Sequence, residues 1–199
     1  MLQLNHISVK GTNGDILKDC IYRFNEGEIY VLYMDNKKNI KILLDCLSNY
    51  RKPEEGEITT WTDAIIYNIS SVDALPANFT VAEFLDSLAK INGVESNLET
   101  ALENVPLIKD KMDLRIKALS DEELALLHVV MFMTIKPYIN IWAVPFAPDE
   151  YMKKLIDVVG EFNVYIFACD NENECKHIAE LLSATMITFV DGSVSEYKN

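Results

Sequence analysis

The sequence has little positive charge. Its 199 residues include 18 Lys and Arg but 31 Asp and Glu, which gives a net charge of −13 at pH 7. Because such a chain repels phosphates, this composition argues against nucleic-acid binding and against adsorption to an anionic membrane by charge alone. The longest nearly apolar run, Leu124 to Ile135, is too short to cross a bilayer. We therefore predict no nucleic-acid partner and no direct membrane insertion.

Cysteine is also scarce, and no Cys-x-x-Cys pair is present. The chain has four cysteines: Cys20, Cys46, Cys169 and Cys175. We predict buried thiols in a reducing compartment, not zinc ligands or a disulfide framework. The acidic runs Asp121 to Glu123 and Asp170 to Glu174 are typical of helix starts, where carboxylates stabilise the helix dipole. We therefore predict no metal site.

Glycine is missing where one short segment most needs it. Glu28 to Tyr33 has the pattern of a buried strand, and Met34 to Lys41 follows it as a polar loop. A helix comes next, because apolar residues recur with helical spacing at Ile40, Leu43, Leu44 and Leu47. This strand, loop and helix order is that of a P-loop, which needs glycines to wrap phosphates, a lysine for the β- and γ-phosphates, and a hydroxyl for magnesium.

The residues of this loop do not meet those requirements. Met34, Lys37 and Asn39 stand at its glycine positions. Ile40 stands at the lysine position, and Lys41 stands at the hydroxyl position. Asn36 and the lysines are equally compatible with an ordinary polar connection between a strand and a helix. Lysines beside a helix N-terminus favour an anion, whereas a backbone without glycine disfavours a triphosphate. The pattern leaves open whether any anion binds.

Segments on both sides of the loop resemble the ATP-binding subunit of ABC transporters in order and spacing. The similar segments are Leu2 to Val9, Ile16 to Phe24, Lys52 to Ile58, Ala74 to Leu85, Leu119 to Ser120, Ile139 to Phe146, Val164 to Asp170 and Phe189 to Val194. The resemblance implies an α/β fold of the P-loop NTPase type, with a three-layer core, an N-terminal antiparallel β subdomain and a small helical subdomain. We expect a single domain over residues 1–199, with the helical subdomain within residues 71–135.

The positions that would touch nucleotide in that family carry other residue types here. By the resemblance, Gly11 stands in place of the adenine-stacking aromatic, and Ser71 stands in place of the Q-loop glutamine. Ala143 stands in place of the magnesium aspartate, Val144 in place of the catalytic glutamate, and Cys169 in place of the switch histidine. Ser120 to Glu123 forms a helix-capping box in place of the glycine-rich signature. Phosphoryl transfer depends on such groups to position and stabilise the phosphates. We therefore predict no hydrolysis and no bound cofactor.

One segment retains the residues expected at a protein contact. By the resemblance, Leu75, Pro76, Phe79 and Phe84 are candidate partner-binding residues, although Phe84 is equally compatible with a helix core. We interpret the chain as an inactive ABC ATPase-like subunit that contacts a permease, as a homodimer or as a heterodimer with an active ATP-binding subunit. It would be cytoplasmic and held at the inner face of the cell membrane by its partner. The alternatives are an atypical ATP-binding subunit and a soluble regulatory pseudo-ATPase.

Overall fold

The chain folds into two compact units. The first comprises Met1–Ser70, Tyr138–Val144 and Glu161–Asn199, and the second comprises Ser71–Pro137 and Pro145–Gly160. The computed structural model describes residues 1–60, 65–69, 75–143, 146–159 and 162–197.

Among the described residues, the first unit contains two sheets. The smaller is antiparallel and has the order β2-β1-β4, with β1 at Leu2–Lys10, β2 at Asp15–Phe24 and β4 at Glu55–Thr60. The larger has the order β5-β6-β7-β3-β8-β9, with β3 at Ile29–Tyr33, β5 at Ile66–Ile69, β6 at Ile139–Ala143, β7 at Val164–Cys169, β8 at Thr185–Val190 and β9 at Ser193–Tyr197. Its strands are parallel except for the antiparallel pair β8 and β9. This architecture confirms the predicted α/β class with an N-terminal antiparallel sheet.

The core of the first unit lies around the central parallel strands. Every residue of β6 and β7 is buried, which explains why these strands are almost continuously apolar in sequence. Alternate residues of β6 and β7 join one cluster with the apolar side of helix α1, Lys37–Leu47, and with the inner face of the antiparallel sheet. Helix α7, Glu172–Leu181, also belongs to this unit and follows β7.

A tight turn between β8 and β9 fixes the end of the larger sheet. Asp191 and Gly192 both have left-handed backbones, with φ of +51° and +78°, as a two-residue hairpin turn of this kind requires. A Cβ added at Gly192 would lie 2.8 Å from Cβ of Lys18. Glycine is therefore needed there for both its backbone conformation and its close approach to β2.

The second unit is built from helices. They are α2 (Val81–Asn92), α3 (Glu95–Asn104), α4 (Pro106–Lys109), α5 (Asp121–Ile135) and α6 (Asp149–Val159). Two capping boxes are present, one at Thr80 and Glu83, which starts α2, and the predicted one at Ser120 and Glu123, which starts α5. Helix α5 is buried on all sides from its fourth residue onward and packs against α2, α3, α4 and α6, which accounts for its lack of a polar face. Within the described ranges, every helix is too short or too polar to span a bilayer.

We predict that His128 of α5 makes the stability of the protein depend on pH. This side chain is fully buried, and burial lowers its pKa from 6.5 to about 4. The unfolded chain therefore binds a proton at a higher pH than the folded chain does. As the pH falls from 6.5 towards 4, the free energy of unfolding should drop by roughly 3 kcal/mol on this account.

Urea unfolding at several pH values tests this prediction. His128→Gln should flatten the pH dependence over that window, because Gln does not titrate. His177→Gln, at an exposed position of α7, makes the same substitution without opening the buried helix and serves as the control. An equally steep dependence in His128→Gln would contradict the prediction.

Candidate functional site

The N-terminus of α1, at the centre of the candidate site, is closed by its own capping residue. Oδ1 of Asn36 accepts hydrogen bonds from the backbone N–H groups of Lys38 at 2.9 Å and Asn39 at 3.4 Å. The first N–H groups of a helix have no partner within the helix, and in phosphate-binding loops such groups bind the anion. Here the side-chain amide of Asn36 accepts hydrogen bonds from two of these N–H groups.

The same loop is tied to the turn between β1 and β2. Oδ1 of Asn39 accepts hydrogen bonds from the backbone N–H of Thr12 at 2.9 Å and from its hydroxyl at 3.1 Å. Nδ2 of Asn36 donates to Oγ1 of Thr12 at 3.1 Å. The two asparagines and the threonine form a closed polar network, which we call the Asn–Thr network.

This network fills the space beside Gly11, the position where the resemblance places an adenine-stacking aromatic. A Cβ added at Gly11 would lie 2.6 Å from Oδ1 of Asn39 and 2.8 Å from Cγ1 of Ile16. Both distances are shorter than van der Waals contact allows, so a larger side chain here requires Asn39 or Ile16 to move. The residues at positions 11 and 39 are therefore complementary in size.

The lysines of the loop do not converge on one point. Nζ of Lys37 lies 3.7 Å from Asp170, and Nζ of Lys41 lies 2.7 Å from Asp45, one helical turn further on. Ile40, at the position predicted for the P-loop lysine, is buried in the hydrophobic core. The loop thus presents no lysine at the position from which a P-loop lysine acts.

The carboxyl ends of the parallel strands bring the other predicted positions to one edge of the sheet. Ala143 pairs with Ala168 at the ends of β6 and β7, and Tyr33 of β3 pairs with Cys169. This edge is where ligands bind in open α/β sheets, and Met34, the first residue of the loop, follows directly. Met34 and Ala143 are both buried and apolar. The predicted positions Ser71 and Val144 lie outside the described residues.

Two cysteines differ from the prediction of free thiols. The sulfur atoms of Cys169 and Cys175 are bonded to each other, and their Cα atoms are 6.2 Å apart. The reason is the turn from β7 into α7, which brings the strand end and the first helical turn together. Cys20 and Cys46 are free and buried, as predicted, and burial raises the pKa of Cys46 to about 11.

The start of α5, where the resemblance places the signature motif, is closed in the same way as that of α1. The backbone N–H of Glu123 donates to Oγ of Ser120 at 3.2 Å, and the backbone N–H of Ser120 donates to the Glu123 carboxylate at 2.8 Å. Nζ of Lys111 lies 2.8 Å from the same carboxylate and lowers its pKa. These contacts occupy the end of the helix with the chain's own carboxylate.

The candidate partner segment combines a fixed backbone with an exposed ring. The carbonyl of Phe79 accepts from the backbone N–H of Ile116 at 3.0 Å, and its own N–H donates to the carbonyl of Pro76 at 3.0 Å. Its side chain is nevertheless 46% exposed, whereas Leu75 and Phe84 are half-buried. Phe79 is therefore the most accessible of the predicted contact residues.

The fold is that of ABC transporter ATP-binding cassettes. The bacterial ABC transporter cassette MJ0796, in its dimeric structure, matches with a TM-score of 0.78 at 16% identity over 100% of this chain and 98% of that chain. An ABC transporter ATP-binding protein from Pyrococcus furiosus matches with 0.71 at 19% identity, over 86% and 92% of the two chains. The protein cbiO1 from Clostridium perfringens, part of the cbiONQ transporter complex, matches with 0.71 at 15% identity, over 98% and 86%. No protein-family model and no curated protein matches the sequence.

We predict that Gly11 and Asn39 are energetically coupled. Gly11→Ala should cost about 1 to 3 kcal/mol of stability, because the new methyl group overlaps Asn39 and Ile16. The cost should be smaller in an Asn39→Ala background, where one of the two overlaps is gone. A double-mutant cycle measured by urea unfolding should therefore show a coupling of at least about 0.5 kcal/mol.

Asn104→Ala provides the control for this cycle, since it also removes an amide that bonds locally, to the carbonyl of Thr100. Its effect should simply add to that of Gly11→Ala. Additive effects in the Gly11 and Asn39 cycle would show that the two positions are not complementary.

Proposed function

We propose that this chain is a catalytically inactive ABC ATPase-like subunit that acts through protein contacts. The observation that carries the proposal is the Asn–Thr network, which binds the backbone N–H groups of Lys38 and Asn39 and fills the space beside Gly11. A triphosphate would have to break these hydrogen bonds and displace Asn39 before it could reach the helix. The loop has no glycine and no converging lysine to compensate for that loss.

The chemical groups of hydrolysis are also replaced. Ala143 offers no oxygen for magnesium, and Cys169, bonded to Cys175, offers no imidazole for the γ-phosphate. Val144 stands where the resemblance places the catalytic glutamate. Metal-assisted phosphoryl transfer needs a magnesium ligand and a residue that orients water. These replacements support a role without catalysis.

The proposed partner is a membrane permease. The likeness to cbiO1, part of a transporter complex, and to a cassette solved as a dimer supports a subunit of such an assembly. We propose that the chain pairs with a second copy or with an active ATP-binding subunit, and that the permease holds it at the cytoplasmic face of the membrane. Phe79 is the proposed anchor, because an exposed aromatic ring on a fixed backbone loses little conformational freedom when it binds.

A competing hypothesis is a subunit that binds ATP in an unusual way. It is favoured by Lys38, whose side chain is exposed beside the start of α1 and makes no ion pair within the described part of the chain. Under that hypothesis Lys38 would contact phosphate, and its removal would abolish binding. A soluble regulatory pseudo-ATPase is the third reading, and it would have no membrane partner.

We predict that magnesium ATP does not stabilise the protein. A ligand that binds only the folded state raises the melting temperature through RT ln(1+[L]/Kd), so the absence of binding gives no shift. Magnesium ATP should also leave the melting temperature of the Ile40→Lys variant unchanged, because the Asn–Thr network remains in place. Purified protein should show no ATP turnover above background.

Lys38→Ala separates intrinsic activity from contamination. Any magnesium-dependent hydrolysis that disappears with Lys38→Ala belongs to this chain and would overturn the proposal in favour of the ATP-binding hypothesis. Micromolar affinity created by Ile40→Lys alone would show that the loop is open to phosphates.

We predict that Phe79→Ala releases the protein from membranes when it is produced with its native genomic neighbours. Loss of an aromatic anchor weakens binding by about 2 kcal/mol or more, whereas the melting temperature should change by only about 2 to 4 °C because the ring is nearly half exposed. Ile91→Ala is the control, since Ile91 is 84% exposed on α2 outside the candidate segment. If Phe79→Ala stays in the membrane fraction to the same extent as Ile91→Ala, Phe79 is not the anchor.

A further inference from the structure

The first unit contains a cleft that the proposed function does not use. Its volume is about 830 Å³, within the range of small-molecule sites. It lies at the carboxyl end of β3 and along β8, beside one face of α7 and the start of β2. In open α/β sheets this end of the strands is the usual position for ligands. We call this site the α7 cleft.

The lining of the α7 cleft is apolar at its base. Ile16, Met34, Ala179 and Met186 line it, and all four are buried side chains. Three aromatic rings stand around this base, those of Tyr33, Phe189 and Tyr197. Such a surface binds hydrocarbon, and aromatic faces attract cations. The base therefore suits a ligand with methylene groups.

The rim of the cleft is strongly acidic. Five carboxylates line it with a single lysine: Asp15, Asp35, Glu172, Glu180, Asp191 and Lys176. Nζ of Lys176 lies 2.7 Å from Glu172 and neutralises that carboxylate. The remaining four make no side-chain hydrogen bond or ion pair within the described ranges. Their mutual repulsion in a concave site is relieved by a bound positive charge.

We infer that the α7 cleft binds a linear organic polycation of the polyamine class, with alkyl segments on the apolar base and ammonium groups at the carboxylates. The inference rests on the shape of the cavity, its apolar base and its charge taken together. It is independent of the proposed function. The cleft shares Met34, Asp35 and Asn39 with the loop, but its carboxylates would repel a nucleotide.

A small ligand fits the cleft better than a protein segment does. The site is concave with a buried apolar base, whereas a basic peptide needs a longer surface to place successive side chains. A polyamine is also the ligand whose alternation of methylene and ammonium groups matches a base and rim of this kind. Binding of a basic peptide in its place is an outcome that the experiment distinguishes.

Calorimetric titration of the whole chain with spermidine at low salt tests the inference. Saturable binding is expected, with weakening as salt is raised because the partners are partly exposed charges. Asp35→Asn/Asp191→Asn should weaken the affinity about tenfold, since each lost ion pair contributes modestly. Asn is accepted at position 191, where the backbone is left-handed.

The matched control removes two exposed carboxylates outside the cleft, in Glu57→Gln/Glu103→Gln. Both double variants lose the same charge, so the control should bind spermidine as the unmodified chain does. Equal weakening in both would show nonspecific attraction to an acidic protein and overturn the inference. An uncharged diol of the same length should not bind.

Nuclear magnetic resonance keeps the test independent of how the variants fold. In the unmodified chain, spermidine should shift the amide signals of Ala179, Met186 and Thr188, which line the cleft. Shifts scattered over the chain, no saturable binding, or binding of a lysine-rich peptide but not of spermidine would each contradict the inference.

Discussion

The rest of the candidate site depends on the hydrogen bonds that the Asn36 side chain makes. It caps α1 through Lys38 and Asn39 and bonds Thr12 across the loop. A helix N-terminus in this position is a binding site for phosphate only while its N–H groups are free. Under the proposed function, the chain keeps the strand, loop and helix arrangement of an ATP-binding cassette and, by capping these N–H groups itself, gives up affinity for the ligand. The cap also stabilises α1 by about 1 kcal/mol, so closing the site carries a gain in stability.

Local features of the fold follow from the sequence, and contacts between distant segments do not. The capping box at Ser120 and the hairpin turn at Asp191 and Gly192 depend on a few adjacent residues, so their patterns were sufficient. The bond between Cys169 and Cys175 depends on the angle at which a strand enters the next helix, which spacing alone does not reveal.

In the candidate site, too, local features can be predicted from the sequence and contacts between distant segments cannot. The replacement of P-loop residues is a prediction that the sequence alone supplies, because each position of the loop can be counted from the end of the preceding strand. The Asn–Thr network is not visible, because Thr12 and Asn39 are far apart in the chain and meet only when β1 and α1 are placed together. Gly11 gave a partial signal, because a glycine stands there in place of the aromatic residue that the resemblance leads one to expect. The acidic rim of the α7 cleft was equally hidden, since its carboxylates come from four separate segments.

These observations support the proposal of a scaffold that acts through protein contacts and not through catalysis. The buried strands and the helix caps are retained, which keeps the fold of an ATP-binding cassette stable. Phe79 remains exposed on a fixed backbone, and the α7 cleft adds a surface of opposite charge preference to that of a nucleotide site. A pseudo-ATPase of this kind would transmit position, not the energy of hydrolysis, to its partner.

The most direct test of this account is the response of the Lys38 and Asn39 amide signals to millimolar magnesium ATP, measured by ¹⁵N nuclear magnetic resonance. These two N–H groups are the ones that Asn36 occupies. The account predicts that neither signal moves beyond the effect of an equal ionic strength of salt. Saturable shifts of both signals would show that ATP displaces the Asn36 side chain, and would contradict the central claim that the chain closes its own phosphate site.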